Sequence, residues 1–544
     1  MKKSKSLAFY PRLAVLLLAL PLSAAAQQGT GNVLAAPETE APGTVATNGQ
    51  DGQDGAETAE KGRAWWISPR IGLSLTATNN ADVSGNVGSK SDLISELSPG
   101  IRIQARTARL QGYFDYSARE QLYIRNHDDR LHHDLNAFGT LEAIDDWFYI
   151  DVAGNISQQA ISAFGPQSPD GGSRNDNMTE ASTYRFSPYL RGSIAGQVDY
   201  LLRYNASTTR TEDTPLSDVD TGQWLGQLRG GTPFRQLRWT LDANRQTVDY
   251  ADGRSTDADL ARLMLTYLVT PQFSVSASTG WERNNYASLD KESTDTYGYG
   301  FDWNPTPRTQ ISAFQEHRFF GNAHRFSVSH RFPMSSIRYS DVRDVTVLPN
   351  QSGTVGMGTV YDLYYDLFAN LISDPIDRAN FVSAMLLAAG VDPTRQIVSS
   401  FMASQASKQR QQQLTYVIYG ARNALTLQVN RSESSAMYAS VVQLAGDFSR
   451  SAVIRQTGAS LNFSHRLSAL SNLNLLASHQ KSDGRQSGGG LGNPKSRTTL
   501  YQLGLNTRLG PKTSGSISVR HAKYDGDISS YSENALIVTI LYTY

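Results

Sequence analysis

The residues with the strongest potential for chemistry are two short runs of histidine and aspartate. His127-Asp128-Asp129 and His132-His133-Asp134 carry the imidazoles and carboxylates of a zinc site or an acid–base pair. Both runs fall at a loop and the start of the next strand, where polar residues are expected, and no second cluster with ligand spacing recurs. No GxSxG elbow, HExxH helix or phosphate-binding glycine loop occurs either. We therefore expect no enzyme activity, no metal site and no cofactor.

A second possible chemistry is the binding of anionic groups by arginine. Six arginines fall on the polar faces of segments that alternate in polarity: Arg203, Arg238, Arg325, Arg331, Arg508 and Arg520. Guanidinium groups bind carboxylates and phosphates through paired hydrogen bonds, so a lumen lined by them could hold an anionic polymer. The alternative is that these charges pair across a lumen and only keep it hydrated.

The elements that carry these residues are predicted to be long β-strands. From Trp65 onward apolar and polar residues alternate with period two, as in Leu237 to Asn244 and Tyr297 to Asn304. The alternation lasts for roughly ten to fourteen residues, which suits a tilted strand crossing a bilayer better than the shorter strands of a soluble sandwich. Tight breaks also alternate with longer polar loops. These features predict a single large antiparallel transmembrane β-barrel of about 22 strands, within a range of about 18 to 26.

The last strand is predicted to carry the signal for insertion into the outer membrane. Apolar and aromatic residues occupy every second place up to the C-terminus: Leu536, Val538, Ile540, Tyr542 and Tyr544. These side chains should face lipid, and the barrel-insertion machinery should recognise the strand. The terminal tyrosine departs from the phenylalanine with which such strands usually end.

The N-terminal region is predicted to be an export signal followed by a linker. Lysines precede an apolar core from Leu13 to Leu22 and the small residues Ala24 to Ala26, so 1–26 is typical of a cleaved signal peptide. Residues 27–64 contain few large apolar side chains and should form a disordered periplasmic linker before the barrel of 65–544. Such a linker is too short for the plug domain of a receptor driven from the inner membrane. The chain has no cysteine and zero net charge, which gives no lipoprotein anchor and no attraction to nucleic acid.

One region, about 350–410, loses period two and is predicted to be a helical insert. Its first apolar stripe follows helical spacing, and a second helix should begin at Asp374-Pro375 and end at Gly390. The candidate gate residues are Tyr361, Tyr364, Tyr365, Phe368, Asp374, Asp377 and Arg378. Because its apolar stripes need cover, the insert could fold into the barrel mouth and narrow the pore; the alternative is a compact cap outside.

Several short motifs resemble those of the outer-membrane β-barrel proteins associated with the PEP-CTERM/exosortase system. They include Trp66-Ile67-Ser68-Pro69-Arg70, Lys90-Ser91-Asp92-Leu93-Ile94, Ser98-Pro99-Gly100-Ile101, Asp115-Tyr116, Asp374-Pro375 with Asp377-Arg378, and Arg422 to Leu427. The likeness covers Trp65 to Tyr544. It implies a role in exopolysaccharide production or export beside polysaccharide-export proteins, and it supplies no catalytic residues.

The sequence thus leads to one main hypothesis of function and two alternatives. The main one is a gated outer-membrane conduit, or an accessory scaffold, for an exopolysaccharide. A general porin or an oligosaccharide-uptake porin is the first alternative, and an outer-membrane barrel enzyme is the second.

Overall fold

A computed structural model of the chain provides the structure. It describes residues 64–83, 90–125, 129–168, 173–212, 218–251, 253–347, 378, 382, 401–403, 405–437, 446–485, 493–527 and 529–544. The predicted signal peptide and linker lie outside these residues. Most of the predicted helical insert also lies outside them. Within the insert, the structure describes only Arg378 and Val382, which are helical, and the residues 401–403 and 405–410.

The described residues form 22 strands. The first eleven are β1 Trp65–Thr78, β2 Asp92–Arg106, β3 Leu110–Tyr123, β4 Arg130–Ile144, β5 Phe148–Ala160, β6 Met178–Ile194, β7 Val198–Thr211, β8 Val219–Gly231, β9 Leu237–Tyr250, β10 Thr256–Thr270 and β11 Phe273–Asn284. The others are β12 Glu292–Thr306, β13 Thr309–Arg318, β14 Gly321–Arg331, β15 Ser335–Thr346, β16 Ser407–Tyr419, β17 Asn423–Ala436, β18 Val453–Arg466, β19 Ser471–Arg485, β20 Lys495–Arg508, β21 Thr513–Gly526 and β22 Ser530–Thr543.

The strands close into a single antiparallel barrel. Each strand pairs with its neighbours along the chain, and β1 pairs with β22, so no edge remains open. This seam runs from Arg70 opposite Thr543 to Thr78 opposite Ala535, which is shorter than the pairing of β1 with β2 over the whole of β1. The predicted fold and strand number are confirmed. One boundary differs slightly, since β16 begins at Ser407, within the predicted insert of about 350–410.

The outer face of the barrel is apolar because the strands alternate in polarity as the sequence predicted. On β22, Leu536, Val538 and Ile540 are exposed, whereas Glu533 and Ala535 point inward and are buried. Large exposed apolar side chains occur in the same alternation on strands all round the barrel. A closed barrel with such a surface satisfies its backbone internally and presents apolar side chains to lipid. The protein resides in the bacterial outer membrane.

The two ends of the barrel differ in the length of their connections. The links after even-numbered strands are short turns, for example at Thr107-Ala108 and Ala195-Gly196, in line with the predicted alternation of tight breaks and longer loops. Ala195 and Gly196 both have positive φ, which matches the mirror-image turns that join tightly paired strands. The links after odd-numbered strands include the longest ones, at 79–91, 161–177, 347–406 and 437–452. In outer-membrane barrels the short turns face the periplasm and the longer loops face the cell exterior. The even-numbered links therefore lie on the periplasmic side of this barrel.

Among the described residues, no helix is both long enough and apolar enough to cross a membrane.

Candidate functional site

The outer mouth of the barrel is occupied by the chain's own loops. The connection between β5 and β6 turns inward and reaches the inner face of strands on another part of the wall. There Tyr524 donates a hydrogen bond to the carbonyl of Phe164, and the Tyr531 hydroxyl lies 2.6 Å from the carbonyl oxygen of Gln167. Both tyrosines belong to β21 and β22. The loop therefore crosses the opening instead of standing above it.

Glu533 of β22 holds the returning limb of this loop. Its Oε1 accepts hydrogen bonds from the Ser173 hydroxyl at 2.8 Å and from the Thr78 hydroxyl of β1 at 2.9 Å. The Arg520 guanidinium of β21 donates to the same oxygen at 2.9 Å, and both side chains of this ion pair are fully buried. Because Thr78 and Glu533 belong to the two strands of the seam, the anchor ties the loop to the place where the barrel closes.

Asp447 holds the other limb of the loop. It lies in a short 3-10 helix, Gly446–Ser449, within the connection between β17 and β18. Its Oδ1 accepts from the Ser162 hydroxyl and its Oδ2 from the Ala163 backbone N–H, both at 2.7 Å. Burial raises the pKa of the Asp447 carboxyl above its ordinary value, although these two hydrogen bonds and the charge of Arg450 act in the opposite direction.

An apolar cluster joins the loop segments in the mouth. Phe164 of the inward loop packs with Phe401, with Phe448 of the 3-10 helix, and with Ile454 on the inner face of β18. The rings of Phe401 and Phe448 lie 5.8 Å apart. The segment after Phe401 also pairs with the end of β5, where the Met402 N–H donates to the Ala160 carbonyl at 3.1 Å. We call the segments 161–168, 173–177, 401–403, 405–406 and 446–451 together the mouth plug.

The inner wall of β1–β15 is rich in charges that pair between strands. Arg203 lies 2.7 Å from Asp151, and Arg262 bridges Asp242 at 3.0 Å and Glu316 at 3.4 Å. Further buried or half-buried pairs are Arg70 and Arg102 with Asp115, Arg119 with Asp134, and Arg318 with Glu282 and Asp344. The charges of these arginines are neutralised by neighbouring carboxylates. This arrangement matches the alternative in which the lumen charges pair with each other.

The inner wall of β16–β20 is almost free of charge. In the register of these strands, Gln411, Gln413, Gln428, Asn430 and Gln456 face inward with serines and threonines between them. Within the described residues, the inward positions of these five strands carry charge only at the last residues of β18 and β20, Arg466 and Arg508. We call this wall the uncharged arc. All five of these glutamines and asparagines are buried.

The structure separates the six predicted lumen arginines into two groups. Arg203 and Arg520 are buried in ion pairs, and Arg325 is half-buried on the inner face of β14. Arg238, Arg331 and Arg508 are exposed near the periplasmic ends of their strands. Arg508 donates to the carbonyls of Gly510 and Pro511, at 3.2 and 2.8 Å, and so fastens a turn.

The other predicted residues are placed as follows. The five residues of the insertion signal all lie exposed on the outer face of β22 and its end. Of the candidate gate residues only Arg378 is described. The histidines of the second run have separate partners, since His132 lies 2.8 Å from Gln158 and His133 lies 2.8 Å from the Tyr116 hydroxyl. Among the described residues, no group of three or more histidines and carboxylates could hold a metal ion.

The anchors Asp447 and Glu533 were missed in the sequence analysis. Asp447 stands alone between a glycine and a phenylalanine, with no motif around it. Glu533 carries a weak signal, because it falls on the inward side of a strand whose other inward residues nearby, such as Ala535 and Ile537, are apolar. A carboxylate in that place must find a partner.

No protein-family model and no curated protein matches the chain. Among solved structures, the FrpB iron transporter from Neisseria meningitidis (F5-1 variant) is 10% identical, with a TM-score of 0.49 over 88% of this chain and 82% of that one. The siderophore receptor PirA from Pseudomonas aeruginosa is 7% identical, with a TM-score of 0.42 over 88% and 80%. Pseudomonas aeruginosa OccK5 (OpdH) is 10% identical, with a TM-score of 0.31 over 88% and 98%.

Proposed function

We propose that this protein is a gated, non-enzymatic conduit of the outer membrane, and that its cargo is an uncharged, hydroxyl-rich polymer. The observation that carries the proposal is the mouth plug, whose two limbs are held by Asp447 and Glu533. A plug held by a few specific hydrogen bonds, rather than by a continuous sheet, can be released without unfolding the barrel. On this proposal, the arrangement of the mouth plug in the structure corresponds to the closed channel.

The uncharged arc supports the choice of cargo. Amide and hydroxyl side chains donate and accept hydrogen bonds in the same way as the hydroxyl groups of a sugar chain. Arg203, Arg262 and Arg520 already pair with carboxylates, so they offer little free positive charge to an anionic polymer. The pattern favours a neutral polymer over a carboxylated or phosphorylated one. That the polymer is an exopolysaccharide, handed over by export proteins, rests on the resemblance to the PEP-CTERM/exosortase-associated barrels.

An oligosaccharide-uptake porin is the alternative that the uncharged arc also favours. The two functions differ in the resting state, because an uptake porin stays open to small solutes whereas a gated exporter stays closed. Liposome swelling in small neutral sugars separates them. We expect the wild-type protein to be nearly impermeable, and the double variant Asp447→Ala/Ser173→Ala to admit the sugars. Free passage through the wild type would favour the porin, and no passage through either protein would favour a scaffold.

The cargo is tested on the open double variant in a planar bilayer. Neutral linear glucose oligomers added to one side should interrupt the current. Adding Gln413→Leu and Gln428→Leu should shorten these interruptions about 30-fold, since each lost hydrogen bond contributes roughly 1 kcal/mol. Gln412→Leu is the matched control, because Gln412 is next in sequence but points outward. Equal effects of inner and outer substitutions, or longer interruptions by uronic acid oligomers than by neutral ones, would refute the assignment.

A further inference from the structure

A band of charge surrounds the outer face of the barrel just above its apolar surface. On β17, the outward positions Leu425, Leu427 and Val429 are followed by Arg431 and Glu433. From the start of β17 at residue 423 to residue 431 the strand rises about 27 Å at ~3.4 Å per residue. At a tilt of about 40° this is roughly 20 Å across the membrane, close to the ~25 Å apolar band of such barrels. The first charges therefore lie at the level of the outer-leaflet headgroups.

On β15–β18 this band is dominated by cations. The strand register places five of them on the outer face: Arg343, Lys408, Arg410, Arg431 and Arg455. Two outward carboxylates accompany them, and each already forms an ion pair with an arginine. Asp341 lies 2.6 Å from Arg410, and Glu433 lies 2.7 Å from Arg455.

The same pattern continues on β19–β21. Here the outward cations are Lys481, Arg485, Lys495, Arg497 and Lys523. The accompanying carboxylates are again paired, Asp483 with Lys481 at 2.8 Å and Asp525 with Lys523 at 3.1 Å. Ten cations thus face four carboxylates across β15–β21. We call this surface the basic arc.

Two features show that the cations of the basic arc are not satisfied by the protein alone. Arg343 stands directly opposite Arg410, and Lys481 stands directly opposite Arg497. Like charges in such cross-strand positions repel each other, with Cβ atoms only about 5 Å apart. In addition, Arg343, Lys408, Arg485, Lys495 and Arg497 make no salt bridge within the described part of the chain. An anion between the strands would turn both repulsive pairs into bridges.

The opposite side of the barrel has the reverse charge. On β3–β12 the outward positions near the same end carry seven carboxylates, on Glu120, Glu180, Asp220, Asp249, Asp257, Asp259 and Asp295. Four cations accompany them, Arg210, Arg245 and Arg283 on the strands and Lys291 just before β12, where it lies 3.4 Å from Asp257. The positive surplus is therefore a property of one side of the barrel and not of its whole rim.

We propose that the basic arc is a binding site for the phosphate groups of the phosphorylated glycolipid that forms the outer leaflet. The cations lie at headgroup height on a lipid-facing surface, which a soluble polymer inside the lumen does not reach. Guanidinium groups bind phosphate through paired hydrogen bonds, and opposed cations such as Arg343 and Arg410 can share one phosphate. The site holds the barrel to the leaflet by one side, so that β15–β21 keep a fixed lipid neighbour. This inference does not depend on the cargo.

The test compares two triple variants with the same change in charge. Lys408→Gln/Arg485→Gln/Arg497→Gln removes three cations from the basic arc, and Arg210→Gln/Arg245→Gln/Arg283→Gln removes three from the acidic side. Each purified barrel, in an uncharged detergent, is titrated with fluorescently labelled lipopolysaccharide. Heat-dependent migration in gel electrophoresis verifies that each variant is folded.

The basic-arc variant should bind the lipopolysaccharide about a hundredfold more weakly than wild type, because each of the three cations near an anionic membrane surface contributes about fivefold. The acidic-side variant should change by less than threefold. Dephosphorylated lipopolysaccharide should bind the wild type as weakly as the basic-arc variant binds the intact lipid. The proposal fails if both triple variants lose affinity equally, if removing the phosphates has no effect, or if millimolar inorganic phosphate displaces the lipid completely and so identifies a free-phosphate site.

Discussion

Replacing Asp447 by alanine should open the mouth plug. The carboxylate accepts two hydrogen bonds at 2.7 Å, from the Ser162 hydroxyl and the Ala163 N–H. Buried donors left without a partner cost about 1–3 kcal/mol each. Part of this cost is offset, because the raised pKa of Asp447 shows that burying its charge is itself unfavourable. We take the net loss of the closed state as about 2 kcal/mol, which corresponds to a roughly 30-fold rise in the ratio of open to closed channels.

Single-channel recording in a planar bilayer measures this ratio directly. Asp447→Ala should open often, and Ser162→Ala, which removes one of the two hydrogen bonds, should open less often but more than wild type. Asp290→Ala is the matched control, since it is an exposed aspartate in the loop between β11 and β12. If the folded Asp447→Ala channel opens no more than the Asp290→Ala channel, Asp447 does not hold the plug and the reasoning is wrong.

Three further predictions concern the plug and its anchors. Protonation of Asp447 should favour the closed state, because the pKa of Asp447 is raised there, whereas a hydrated Asp447 in the open state keeps its ordinary pKa near 3.8. The open probability should therefore fall as the pH drops toward 4. Asp447→Asn should abolish this pH dependence. Arg520→Met should lower the free energy of unfolding by about 3–5 kcal/mol, because it leaves Glu533 buried without its cation, and the double variant Arg520→Met/Glu533→Gln should recover most of the loss in urea titrations. Deleting Gly353 to Gln405, which also removes the plug residues 401–403 and 405, should raise single-channel conductance, and an unchanged conductance would show that this segment does not narrow the pore.

The sequence was sufficient to predict the barrel because lipid imposes the same rule on every strand. Residues such as Leu536, Val538 and Ile540 must face outward, so their alternation with polar residues repeats along the chain and is visible without any alignment. The tight turns were predictable for a related reason, since only a few residues connect paired strands and the period breaks there.

The anchors of the plug could not be predicted in the same way. Ser162 and Asp447 are 285 residues apart, and Ser173 and Glu533 are 360 apart, and each contact depends on one side chain in an irregular segment. The pairing of each arginine with a carboxylate also depends on the register between neighbouring strands. This register cannot be derived from the composition of the strands. In the sequence, the buried Arg203 and Arg520 therefore look the same as the exposed Arg238 and Arg508.

The position of Glu533 over the seam has a consequence for how the molecule is assembled. Thr78 and Glu533 come together only when β1 and β22 pair, so the carboxylate that binds Ser173 is held by both strands of the seam only then. The shared contact of Thr78, Ser173 and Glu533 is therefore complete only in the closed barrel, whereas the Asp447 anchor of the other limb involves neither strand of the seam. Closing the barrel and completing the anchor of the returning limb are thus one and the same step.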